Sequence, residues 1–172
     1  MTRGRGVVKI QDVYDDDVRQ AILEQTSRIK LVDTVFTTIP GVVSGAAYAD
    51  GDALGLQFAF GVPTSGTITR VLLGDMDKEA LAVELLLFRD AFTGGTDNSA
   101  FDMADADRTK VIGPITVTSF TQYNDNALGH KELAYDYVAP NGLLYVQAIT
   151  RGVQNLSAST DYGVQMTIED HS

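Results

Sequence analysis

Gly66 to Phe88, GTITRVLLGDMDKEALAVELLLF, reads as two strands on either side of an acidic turn. In the first run Ile68, Arg70 and Leu72 alternate with Thr67, Thr69, Val71 and Leu73. In the second, Leu81, Val83, Leu85 and Leu87 alternate with Ala82, Glu84, Leu86 and Phe88. A period of two is the signature of a strand with two distinct faces. Between the runs, Gly74 to Glu79 supplies turn chemistry, because Gly accepts a positive φ and Asp side chains bond nearby backbone N–H groups. The expected product is a hairpin at the centre of a sheet. Glu84 is the one charge in the second run, so that strand is expected to be covered on both faces. A lone sandwich covers one face, and the other is expected to meet a second subunit.

On the N-terminal side, Leu54, Leu56, Phe58 and Phe60 are expected on one face and Ala53, Gly55, Gln57 and Ala59 on the other. The second face is nearly bare and admits a closely packed surface, by default from the same domain. Val32 to Ile39 reads as a strand stopped by Pro40-Gly41. On the C-terminal side, Arg89 to Lys110 is a long loop with room for a helical turn at Asp102 to Arg108, and Phe92 and Phe101 are expected to pin it to the body. Val111 to Phe120 is a strand kinked at Gly113-Pro114, hence an edge or a bulge. Lys131 to Val138, Leu143 to Thr150 and the clean alternation of Val164, Met166 and Ile168 complete the set. Strands at this spacing define an all-β chain, an antiparallel β-sandwich or jelly roll, with an N-terminal extended arm and one short helix. The domain division is 1–30 for the arm and helix and 31–172 for the body.

The short helix is expected from Asp15 to Arg28, opened by three Asp residues where the helix dipole favours them. Ahead of it, Arg3, Arg5, Val7, Val8, Lys9 and Ile10 form a basic and apolar lead expected to be the interface with a partner. Charge separates the two regions. The chain carries −10 in all, yet residues 1 to 30 hold six basic side chains against five acidic ones, leaving −11 on the body. That balance argues against a nucleic-acid partner, which needs clustered Lys and Arg. The start lacks the apolar run of a secretory signal and no stretch is long enough to span a bilayer, so synthesis in a cytosol and no membrane partner are expected. There are no cysteines, which removes thiolate chemistry and disulfides.

Catalytic constellations are thin. His130 and His171 are the only imidazoles, and no G-x-S-x-G elbow accompanies His130. Asp75, Asp77 and Glu79 have the alternate spacing that opens a calcium loop. The rest of that loop is missing, since Ala80 stands where Gly is needed and Leu86 where a bidentate Glu is needed. They are weak metal candidates, as is the group Asp102, Asp105 and Asp107, and the expectation is no metal, no cofactor and no enzyme activity.

AAYADGDALG (46–55), GTI (66–68), LLGDMDK (72–78), LLLF (85–88) and NSAFDMADADRTKVIG (98–113), in that order, resemble capsid decoration or head-associated virion proteins of tailed bacteriophages. The resemblance covers most of the body and rests on turn and packing residues. It implies a non-enzymatic viral structural protein: a decoration or cement protein, located on the capsid surface, made in the host cytoplasm, with the major capsid protein as partner and a homo-oligomer, a homotrimer by preference, as its form. A head-fibre base or tail component is the alternative within the virion. A cellular carbohydrate-binding β-sandwich module is the alternative outside it.

Overall fold

The computed structural model describes residues 30 to 172 apart from 44, 46 and 157. The expected arm and short helix, and the contact residues Arg3, Arg5, Val7, Val8, Lys9 and Ile10, lie outside the described residues. The described body is all-β, with two antiparallel sheets packed face to face. One, six-stranded, runs in the order β1 (Lys30–Asp33), β12 (Tyr162–Asp170), β5 (Ser65–Asp75), β9 (Ala127–Val138), β8 (Phe120–Gln122), with β2 (Thr37–Thr38) also on β12. The other, four-stranded, is β4 (Ala53–Gly61), β10 (Leu143–Thr150), β6 (Val83–Phe88), β7 (Val111–Val117). Two short strands, β3 (Ala47–Tyr48) and β11 (Gln154–Asn155), pair at one end.

This interleaved order, in which the chain passes repeatedly from one sheet to the other, is that of a jelly roll. It overturns the expected hairpin. β5 pairs with β12 and β9, whereas β6 lies in the opposite sheet between β10 and β7. The acidic stretch after Asp75 is therefore a crossover between sheets, long enough to span their separation of about 10 Å.

The inner faces match the alternation. Val83, Leu85 and Leu87 from β6 and Val164, Met166 and Ile168 from β12 are all fully buried, and they meet Leu54, Phe58, Phe60, Leu144 and Val146 in one core. Two bulges shift the pattern elsewhere. The pairing of β5 slips around Thr69, so Ile68 and Val71 both face the core while Arg70 and Leu72 face outward. In β4 the pairing skips from Phe58 to Leu54 with Gly55 at φ +70, and Leu56, expected inside, is 49% exposed. The single extra residue in β5 reverses the facing beyond it, whereas the two extra residues in β4 turn Leu56 out and leave Leu54 and Phe58 on the same core face.

The second face of β6 is covered at both ends by the same chain. Phe92 stacks on Phe88 with ring centroids 3.8 Å apart, and Arg151 reaches Glu84 at 2.9 Å. The Ala53 end of the bare face of β4 accepts the same long loop, since Gly95 lies against Ala53 and donates its N–H to buried Gln147, while Gln57 and Ala59 stay exposed. Asp97 accepts from the N–H groups of Val43 and Gly55 and from the Tyr48 hydroxyl. The helical turn in this loop is a 3-10 helix at Asp105–Lys110.

The two glycines of β4 give a sharp contrast. A Cβ at Gly55 would collide with the Pro40 carbonyl oxygen on a left-handed backbone, while one at Gly61 meets nothing. Gly55→Ala is expected to cost about 2 kcal/mol or more, and Gly61→Ala to be neutral or stabilising by about 0.5 kcal/mol. Urea unfolding of the two variants, compared at equal m-value, checks this.

Candidate functional site

Two places concentrate chemistry: the acidic crossover and the outer face of the six-stranded sheet. In the crossover, Asp75 is fully buried and its carboxylate accepts from the backbone N–H groups of Asp77, Lys78 and Ala80. The Tyr162 hydroxyl is 3.3 Å from it and also accepts the N–H of Leu81. Lys78 and Ala80 take positive φ of 66° and 54° to bring these donors round. Asp75 is thus a structural cap for the turn and is not placed as a metal ligand.

Asp77 and Glu79 converge instead with Asp161, a residue that sequence spacing does not single out. One carboxylate oxygen from each lies within 4.8 Å of the others. These three residues could hold a cation, with the carboxylate oxygens that calcium prefers. Asp161 lies 84 residues after Asp77, and only pairing of β12 with β5 brings it here. Its carboxyl is pushed above the usual carboxylate range, first by burial and also by the charges of Asp77 and Asp75, against the opposing hydrogen bond from the Ala158 N–H. The other carboxylate group does not converge. Asp105 pairs with Arg108 on the surface, while Asp107, buried, accepts from the Lys110 ammonium and the Thr93 N–H, which lower its pKa.

The outer face of the six-stranded sheet is built from cross-strand rungs between β5 and β9: Arg70 opposite Glu132, Leu72 opposite His130, Gly74 opposite Leu128. Arg70 also donates to Thr167 on β12 and lies 3.9 Å from Asp33 of β1. Between β1 and β2 the edge breaks at residues 34–36, where Thr34 satisfies Met166 through both its N–H and its hydroxyl. The break lets the Phe36 ring lie across Gly74 and Gly163, where a Cβ on either glycine would overlap it. Phe36, Met76, Tyr123 and Leu128 leave between 36 and 52% of their surface exposed around half-buried Leu72. Two shallow depressions run along this face, sharing Arg70 and Glu132 in their linings. His130 is on it, exposed; His171 lies elsewhere, near Glu169 and Thr67 at the end of β12.

A further cleft of about 300 Å³ opens between Arg89, Val111, Ile112 and the end of β9. Tyr137 there donates to the Pro63 carbonyl, and burial with the charge of Asp170 raises its hydroxyl to about 12. Among the described residues no helix is long and apolar enough to cross a membrane. No protein-family profile, curated protein or solved structure matches the chain.

The crossover carboxylates should separate by mutation and pH. Asp75→Asn replaces an acceptor oxygen by a donor facing backbone N–H groups and is expected to cost roughly 2 kcal/mol. Asp77→Asn removes a like charge from beside Asp161. Because Asp161 has a folded-state pKa above its unfolded one, its contribution is full below the ordinary carboxylate range and is lost as pH rises through the raised value. Asp77→Asn is therefore expected to stabilise by about 0.5 kcal/mol at neutral pH, a gain that fades as pH falls toward about 4. Thermal unfolding of both variants across that range is the measurement.

Proposed function

We propose that this chain is a non-enzymatic structural protein of a tailed-phage head, attached to the assembled shell through the major capsid protein and stabilising it. The observation that carries the reading is an acidic jelly roll with one outer face partly covered by its own loop, edges interrupted by bulges, and −11 of charge on the body. Jelly rolls recur in viral capsid and lectin domains, so the fold is compatible with the reading and does not by itself assign it. The order of turn motifs from residue 46 to 113, which resembles head-associated proteins, supplies the rest. In this reading residues 1 to 30 meet the shell, with Arg3, Arg5 and Lys9 directed to its carboxylates and Val7, Val8 and Ile10 to its apolar surface.

Binding to the shell and not to dispersed subunits stabilises the shell by mass action, by about 2.7 kcal/mol per site at a hundredfold excess over Kd. Heads stripped of this protein, heated with and without it, are expected to release DNA at a higher temperature when it is bound. Arg3→Glu with Arg5→Glu should weaken attachment, and salt should weaken the wild type. Equal release temperatures at full occupancy, or no co-sedimentation with heads, would count against the reading.

A further inference from the structure

The outer face of the six-stranded sheet has no cover from the rest of the described body. The opposite outer face is partly covered, by residues 89 to 104. The edges offer little to another strand. β7 carries Pro114 near a bulge at Ile112, and β4 is broken by its own bulge and bridged at Ala53 by the carbonyl of Ser99 and the N–H of Asn98. β9 is irregular between Glu132 and Tyr135, and its Lys131 turns toward the opposite sheet to donate to the Thr116 carbonyl. Bulges, proline and inward-turned charge are devices that block edge-to-edge pairing. Face-to-face association through the open face is a route that these three edges do not block.

We propose that this face binds a second copy of the same chain, about a two-fold axis running along the strands between β5 and β9. The rungs carry the argument. Each joins unlike partners: Arg70 with Glu132, Leu72 with His130, and Gly74, under the Phe36 ring, with Leu128. Turning a second copy through half a revolution about that axis lays its β9 over β5 of the first. Arg70 then faces Glu132 of the second copy, Leu72 faces its His130, and Phe36 meets its Leu128, each contact occurring twice, as an isologous interface requires.

Charge points to the same occupant. On a body carrying −11, this face sets the cation Arg70 between Asp33 and Glu132, with Asp136 and Glu169 further along the strands on either side of Thr67. Two such faces bring opposite charges into register at the Arg70 and Glu132 rungs, and set Thr67 opposite Asp136 of the second copy. The two-fold pairing differs from the homotrimer that the phage resemblance implies, and it stands without the capsid reading.

Sedimentation velocity of the full chain, without phage particles, tests it at low salt from one to a hundred micromolar. The expected result is a concentration-dependent species of twice the 18.5 kDa chain mass. Arg70→Glu and Glu132→Arg are each expected to weaken it by about tenfold or more, and the double exchange Arg70→Glu with Glu132→Arg to restore it, since close charge pairs across interfaces couple strongly. Leu72→Lys should abolish it, with circular dichroism reporting an intact fold. A monomer throughout the range, a trimer, or a dimer indifferent to all of these changes would overturn the proposal. None of those outcomes bears on attachment to heads, which is measured separately.

Discussion

The carboxylate of Asp75 holds the place where the chain leaves one sheet for the other. It is fully buried, and it collects three backbone N–H groups of the crossover. A buried charge is tolerated only where it is surrounded by donors, and an unmet backbone N–H costs nearly as much as a lost hydrogen bond. The two problems solve each other here. Tyr162, the first residue of β12, closes the arrangement from the neighbouring strand by accepting from Leu81. The crossover is thereby tied to the strand that pairs with β5, so the turn and the sheet are fixed together.

That constraint decides what the two sheets show to solvent. With β6 sent to the four-stranded sheet, its outer residues Glu84 and Phe88 meet Arg151 and Phe92 of the same chain, and Leu86 between them is half-buried. The long loop after β6 is held by buried and half-buried polar side chains. Buried Gln147 accepts from Gly95, Asp97 gathers Val43, Tyr48 and Gly55, and Asp107 receives Lys110 and Thr93. A segment whose composition suits an interface is, in the folded chain, a lid on its own sheet. The open surface falls on the other side, where Phe36, Leu72 and Leu128 lie in a field set by Arg70.

The bulge at Thr69 has a functional weight out of proportion to its size. Without it, Ile68, Arg70 and Leu72 would share a face, and that face would be either a core with a buried arginine or a surface with two large aliphatic residues. One extra residue puts Ile68 and Val71 inside and turns Arg70 and Leu72 out together. The arginine in an otherwise apolar run was the legible sign that strict alternation could not hold there. Gly55 gives the same lesson in β4, where a left-handed residue turns Leu56 outward.

Local pattern was enough to establish that the body is all-β and antiparallel, that Val83, Leu85, Leu87, Val164, Met166 and Ile168 face the core, that Gly113-Pro114 marks an irregular edge, and that Phe92 anchors the long loop. Each has a local cause: period-two hydrophobicity, a residue without an N–H, or a large ring in a polar segment. Long-range packing was needed to send the two runs around Asp75 to different sheets, because adjacent strands joined by a turn have the same local pattern whether they pair or cross. Packing also brought Asp161 to Asp77 and Glu79 across 84 residues, and aligned Arg70 with Glu132, since strand register is a property of the partners and not of either segment. The open face exists for the same reason: what covers a sheet is set by where the rest of the chain goes.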